Sequence, residues 1–412
     1  MKESSNFDYI IIGAGIIGLS IAKTLIEKNS LSKILILEKE DDVGLHSSGR
    51  NSGVLHAGFY YTSNSLKAKF TRDGNLEMKK FCQDNELSIN HCKKVVVAKD
   101  ESELEGLNEL YKRGIANGVE VKLLDEDTLS KLYPNVKTYK KALYSPTTAT
   151  VNPLEIVQYL RKYLEKQNVK FRFNEGYSKN LNNNEILTRK ENKFKAKKII
   201  NCAGLYADKV AQDFHYAKNY TIIPFKGIYL TYTKEDKPID INIYPIPNLK
   251  NPFLGVHYTI TVDNTIKIGP TAIPAFWREN YNGIDNFKLN EFLEIIKYEI
   301  KLFTYNSFEF RSLAMEEIKK YFKSYFISLV KNMVNNIDKT GFNKWSKAGI
   351  RAQLLDINTL ELVQDFVVEG DDKTIHILNA VSPAFTGSFP FSRWVVKHYI
   401  DKDISDTYKK SH

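Results

Sequence analysis

Cysteine is scarce in this 412-residue chain, which has only Cys82, Cys92 and Cys202. An odd number without C-x-x-C spacing argues against both a disulfide framework and a zinc site. The eight histidines form no H-x-x-x-H pair and there is no P-loop, so no metal is expected. Long apolar runs are missing too. None has the length of a membrane span, and the first apolar stretch, Tyr9–Ile12, is too short for a signal-peptide core. The expected location is therefore cytoplasmic. Basic tracts are also lacking. Lysine and arginine exceed the acids by 59 to 49, a net charge of +10, yet they run no longer than pairs such as Lys93-Lys94, Lys197-Lys198 and Lys319-Lys320. Acids lie between the pairs, which describes a solvated surface and speaks against a nucleic-acid track. The positive field would still draw in anionic substrates. It also leaves peripheral contact with an acidic inner-membrane face as an expectation.

What is present begins at once. Tyr9–Ile12 reads as a short buried strand and runs into Gly13-Ala-Gly15-Ile16-Ile17-Gly18, after which Leu19, Ile21, Ala22 and Leu25 follow a helical pattern. Strand, G-x-G-x-x-G turn and helix form a dinucleotide site. Gly13 serves the tight turn, Gly15 lets the backbone approach a pyrophosphate, and Gly18 lets helix pack on strand. The phosphates face the free N–H groups of the helix start. The next strand, Lys33–Leu37, ends in Glu38 and Lys39, with Glu38 twenty residues after Gly18. An acid there accepts from ribose hydroxyls and disfavours a 2′-phosphate, leaving NAD or FAD. Residues 46–61 then bring Ser47, Ser48, Asn51, Ser52, Gly53, His56, Gly58, Tyr60 and Tyr61. The hydroxyls suit phosphate and ribityl oxygens, and the glycines permit close approach to a flat ring.

Composition, 42% hydrophobic and 26% charged, supports a globular protein of two domains or one large composite. Helices are predicted over Ser65–Asn85, Glu101–Asn117, Asp125–Pro134 and Leu154–Gln167, with more helix across 287–337. Strands are predicted at Lys93–Ala98, Val119–Leu124, Val169–Phe173 and Lys198–Gly204. Alternating strands follow from Thr221 to Gly269, then Lys347–Leu355, Leu362–Val368 and Thr374–Leu378. A closing helix begins after Ser382–Gly387. The predicted fold class is α/β, with a Rossmann-like nucleotide domain interleaved with an α+β domain built on an antiparallel sheet. The nucleotide domain takes residues 1–85, 140–215 and 345–412. The second domain takes 86–139 and 216–344.

Several separated motifs carry a resemblance. They are Ser48-Gly-Arg-Asn-Ser-Gly-Val-Leu-His56-Ala-Gly58, Tyr144-Ser-Pro-Thr with Val151-Asn-Pro153, and Asn201-Cys-Ala-Gly204. Further along are Pro224-Phe-Lys-Gly227, Phe253-Leu-Gly-Val-His257, Lys267-Ile-Gly-Pro270, Gly349-Ile-Arg351-Ala-Gln353 and Leu378-Asn-Ala-Val-Ser-Pro383. The chain resembles the glycine-oxidase-type, D-amino-acid-oxidase-like FAD oxidoreductases, and within them the L-2-hydroxyglutarate oxidase/dehydrogenase family, over nearly its whole length. The resemblance implies FAD, with Gly176, Ala203 and Gly204 near the adenosine and Pro383, Thr386 and Gly387 at the flavin. It implies oxidation of a small 2-hydroxy acid by hydride transfer to flavin N5, with O2 or a membrane quinone as acceptor.

The hydroxyl proton needs a base, for which His257 and His56 are the candidates, His257 preferred. A dicarboxylate needs fixed cations, for which Arg351 and Arg278 are the candidates, with Arg50 and Lys226 behind them. Tyr60 and Tyr61 offer phenol hydrogen bonds. The chain departs from the sub-family pattern at Lys226, Ile228, Thr271 and Phe385. An FAD-dependent amine or amino-acid oxidase is the same-fold alternative, and an FAD-bearing nucleic-acid-modifying protein a remote one.

Overall fold

The structure is a computed structural model that describes residues 6–247 and 253–402. The outermost limits of the predicted domain segments, residues 1–5 and 403–412, lie outside the described residues.

The apolar run of the first strand, β1 (Asn6–Ile12), has no polar alternation because it is central in a parallel sheet and covered on both faces. On one side it pairs with β2 (Ile34–Leu37), which in turn pairs with Lys170–Arg172. On the other it pairs with Lys193–Asn201, and that strand continues the parallel order to Thr374–Asn379. An antiparallel hairpin, Tyr177–Asn180 with Glu185–Thr188, extends the same sheet, as does Val367–Gly370. The helix α1 (Ile16–Lys28) packs against the helices Pro153–Lys166 and Ser388–Val395 in one hydrophobic cluster.

A second eight-stranded sheet runs in the order Phe342–Trp345, Leu230–Tyr232, Ile266–Gly269, His257–Ile260, Asn242–Pro245, Lys94–Val97, Lys141–Ser145, Lys122–Asp125. It is antiparallel except where Asn242–Pro245 lies parallel to Lys94–Val97. That pair joins the two excursions from the nucleotide part. The strand Lys141–Ser145, which follows the expected boundary at residue 140, pairs within this second sheet. A three-stranded sheet, Ile273–Pro274, Tyr220–Gly227 and Gly349–Asp356, lies at the seam between the two large sheets.

Most predicted elements fall within a residue or two of their places. Two strands shift. Val119–Leu124 becomes Lys122–Asp125, because Val119 and Val121 pack into the cluster beside the helix Leu104–Ala116. Leu362–Val368 becomes Val367–Gly370, with Leu362 only bridging to Leu355. The helical stretch 287–337 resolves into Leu289–Tyr305, Phe310–Lys319 and Lys323–Ser328. No helix of the described residues is long and apolar enough to cross a membrane.

Candidate active site

A cavity of about 1130 Å³ runs from the glycine turn of the first sheet to the face of the second. At the nucleotide end, Gly13 has φ +106°, and a Cβ there would meet the Cys202 carbonyl oxygen at 2.5 Å. The turn therefore lies directly against the segment that follows the strand Lys193–Asn201. Gly15 ends the turn as the helix cap, and no side chain of its own closes α1. Ser48 supplies the missing acceptor, its Oγ taking the Ile16 N–H at 2.9 Å. Glu38 folds back over the turn: one carboxylate oxygen accepts from Ala14 N at 2.9 Å, the other from Glu40 N at 3.0 Å. Each oxygen keeps a further lone pair for a ribose hydroxyl.

Gly13, Gly15, Ile16, Ile17, Glu38, Lys39, Ser47, Ser48, Asn51, Ser52, Gly176, Ala203, Gly204, Pro383 and Thr386 all line the cavity. Three predicted cofactor residues do not: Gly18, Gly53 and Gly387. A Cβ on Gly18 would sit 2.1 Å from the Gly13 carbonyl oxygen, and one on Gly53 2.2 Å from that of Val151, so both serve backbone packing. Gly387 caps the closing helix and lies against the Phe70 backbone. Asn51 reaches the cavity, but its amide is spent on Ser47 O, Ser48 O and Gly53 N, which shapes the loop.

At the other end, β-sheet register gathers the chemistry. Ile243 pairs with Tyr258, so Tyr244 stands opposite His257, and their rings stack at 3.6 Å and 15°. The His257 Nδ1 lies 2.7 Å from the Gly255 carbonyl, which can only accept. The proton is thereby fixed on Nδ1, and Nε2 keeps its lone pair. Burial lowers the His257 pKa to about 3. His56 is placed by the short strand Val54–Leu55 and by its backbone N–H, which donates to Thr386 Oγ1 at 3.3 Å. Burial, then the Lys94 charge, holds its pKa well below the ordinary histidine value. Tyr60 lines the same end, and its buried hydroxyl has no hydrogen-bond partner among the described residues.

Two cations flank them. Arg351 comes from the strand Gly349–Asp356, donates to Gln353 Oε1 at 3.0 Å, and is lowered by burial to about 10. Lys67 stands in the first turn of the helix Leu66–Asp84, where the dipole disfavours a cation. The Asp365 carboxylate caps that turn through Leu66 N and Lys67 N. Burial and the charge of Arg351 bring Lys67 down to about 7. Lys67 was not foreseen, since a lysine in an amphipathic helix carries no sequence signal.

Arg278 does not reach the cavity. It is fully buried and forms a bidentate pair with Asp208 at 2.7 and 2.8 Å, besides bonding the Leu205 carbonyl. Its role is to dock the 276–281 segment on the helix Ala207–Asp213. Of the departures, Thr271 and Phe385 line the cavity, whereas Ile228 packs beside Leu205, Tyr281 and Ile350. The acid missing at Ile228 therefore costs no contact with a bound molecule. Glu40, His46 and Glu279 place ligand-type atoms within 4.8 Å of one another. The Lys39 amine already stands among them, 2.7 Å from both Glu279 and His46.

These residues fit a bound FAD. The turn leaves room for a pyrophosphate, Glu38 has spare acceptors, and the orphaned Tyr60 hydroxyl and two neutral histidines wait at the far end. The family model described as FAD dependent oxidoreductase (DAO) matches residues 8–397. The chain is 35% identical to the L-2-hydroxyglutarate dehydrogenase of Escherichia coli K12 over 396 residues, 95% of this chain and 92% of that one. It is 32% identical to the human mitochondrial L-2-hydroxyglutarate dehydrogenase over 413 residues, covering 95% and 88%. Among solved structures it is similar to the FAD-bound L-alpha-glycerophosphate oxidase of Mycoplasma pneumoniae. There the TM-score is 0.73 at 22% identity, over 95% and 94% of the two chains. Against glycine oxidase of Geobacillus kaustophilus the TM-score is 0.69 at 14% identity, over 99% of both. At those identities the likeness speaks of fold alone.

Proposed function

The chain belongs to the DAO family of FAD dependent oxidoreductases, and we propose that it oxidises L-2-hydroxyglutarate to 2-oxoglutarate. The supporting observation is a buried cavity end that combines two neutral histidines with fixed cations, in a chain similar nearly end to end to L-2-hydroxyglutarate dehydrogenases. When bound, FAD supplies the two-electron acceptor for the hydride on C2. The turn Gly13–Gly18, Glu38 and Ser48 hold its nucleotide part, and the 382–386 segment borders the flavin. His257 takes the hydroxyl proton on Nε2, the nitrogen its Gly255 hydrogen bond leaves open. The arriving carboxylate raises the basicity of that nitrogen. Arg351 and Lys67 hold a carboxylate, and the Tyr60 phenol and His56 donate toward substrate oxygens. Burial of the cations strengthens each of these contacts.

In the same proposal the nucleotide-binding part comprises about residues 6–85, 146–215 and 345–402, and the substrate part the other described residues. Electrons leave to O2 or to a membrane quinone. Peripheral membrane contact is supported by exposed Ile284, Leu293, Ile300, Phe303 and Phe322, interspersed with Lys297 and Lys301. The deciding assay supplies an artificial electron acceptor and measures 2-oxo acid. L-2-hydroxyglutarate is expected to yield 2-oxoglutarate, with the D-enantiomer, glycine and sarcosine at least about 100-fold poorer. Turnover of an amine with none of the hydroxy acid would overturn the proposal.

A further inference from the structure

The reaction needs one base, yet two histidines line the cavity end. A neutral imidazole has one N–H and one lone pair, and the nitrogen that keeps the lone pair decides what the ring can do. On His257 the Gly255 carbonyl claims the Nδ1 proton and leaves the lone pair on Nε2. On His56 the partner is of the opposite kind. The Lys94 Nζ stands 3.4 Å from His56 Nδ1. An ammonium has three donors and no acceptor, so Nδ1 is the accepting nitrogen and the ring proton sits on Nε2.

The strand register holds the amine in that place. Lys94 opens the strand Lys94–Val97 and has no exposed surface. Asn242 lies opposite Lys94 and Tyr244 opposite Val96, so Lys94 and Tyr244 project from the same face of the sheet. The amine is 3.9 Å from the Tyr244 ring centroid, and the His257 ring stacks 3.6 Å from the same centroid. Two groups so close to one centroid must take opposite faces of the ring. Tyr244 therefore separates the amine from His257, and Lys94 stays behind the cavity wall and does not line it. The Tyr60 and Phe59 rings, 5.3 and 5.8 Å away, complete an aromatic cage that suits a cation. Among the described residues, His56 Nδ1 is the hydrogen-bond acceptor of this amine. Burial lowers the Lys94 pKa to about 7, which leaves the ammonium dominant at pH 6. Of the groups that face His56, burial first, then the charges of Lys94 and His257, keep it neutral.

We propose that Lys94 is a positioning residue that divides the work of the two histidines. Its ammonium engages the one lone pair of His56, so His56 offers only an N–H to a bound substrate and His257 is left as the base. The proposal rests on the hydroxy-acid reaction proposed above and deepens it.

Nitrogen-15 NMR of the FAD-loaded, histidine-labelled enzyme at pH 6, without substrate, tests this. The two signals are identified by their loss in His56→Gln and His257→Gln. In the native enzyme His56 is expected as the Nε2–H tautomer and His257 as the Nδ1–H tautomer. In Lys94→Met, His56 is expected to populate both tautomers, as free imidazole does, and to gain its proton at a higher pH than in the native enzyme. Its kcat/KM for L-2-hydroxyglutarate is expected to fall about tenfold, the size of one lost hydrogen bond. Lys94→Arg, which keeps a cationic donor, is expected to restore the single tautomer. A lysine that served packing alone would leave the His56 signals of Lys94→Met unmoved. An Nδ1–H tautomer of His56 in the native enzyme would overturn the proposal, and that result needs no variant to fold. So would a folded Lys94→Met in which His56 keeps one tautomer and its native titration. Failure of the substrate assignment looks different: the tautomers stand as expected, but L-2-hydroxyglutarate does not reduce the native enzyme's flavin.

Discussion

At the residue scale, the assignment turns on what burial does to titrating groups. His257 is lowered to about 3, so it enters the reaction as the neutral base at any ordinary pH. His257→Gln removes the lone pair but keeps a polar side chain. Its kcat is expected to fall about 10²- to 10⁴-fold while flavin content and glutarate affinity change little. A kcat within fivefold of native would transfer the base role elsewhere. The free enzyme's titrations appear in kcat/KM. Protonated His257 accumulates only below pH 5, which removes the acid limb an exposed histidine would give. The buried Lys67, lowered to about 7, binds an anion best while protonated. It faces Arg351, Asp365 and Tyr61. Measured from pH 5 to 9, kcat/KM is thus expected to be level up to about pH 7 and to decline above it. An acid limb near 6.5 with a level alkaline side would contradict both placements.

At the scale of elements, the glycine turn separates packing from ligand approach. In Gly13→Ala the new Cβ strikes backbone at 2.5 Å from a strained φ, so loss of folded protein is expected. In Gly15→Ala the nearest atom is the Ser48 hydroxyl at 3.0 Å, so a folded protein of native Tm with weakened FAD retention is expected. Equal loss of fold in both would mean that the turn is structural throughout. Arg278 belongs to this scale too. Arg278→Met strands the buried Asp208 carboxylate, with an expected destabilisation of about 3–5 kcal/mol seen in denaturant unfolding, and no change in KM relative to kcat. The turn, β1, α1 and Glu38 were legible because a fixed spacing of glycines and one acid has a single physical use. That His56, His257 and Arg351 would come together at one cavity was legible from the motifs around them. Lys67 was not. It looks like a helix-surface lysine, and only packing against distant segments removes its solvent. Arg278 was misplaced for the converse reason, since a lone arginine gives no hint of the aspartate seventy residues earlier that claims it.

At the scale of the molecule, the second sheet joins strands some 150 residues apart, Lys94–Val97 and Asn242–Pro245, and brings them over the end of the nucleotide cavity. Neither half of the chain makes the site alone: His56, Lys67 and Arg351 come from around the parallel sheet and the seam, Tyr244 and His257 from the second sheet. Chemistry is therefore expected only where both meet a bound flavin. The most direct measurement is anaerobic mixing of the FAD-loaded enzyme with L-2-hydroxyglutarate, following loss of the oxidised flavin absorbance, with D-2-hydroxyglutarate, L-glycerophosphate and glycine alongside. Rapid, complete bleaching by L-2-hydroxyglutarate with little by the others is the expected result. Bleaching by glycine or L-glycerophosphate in its place would contradict the assignment.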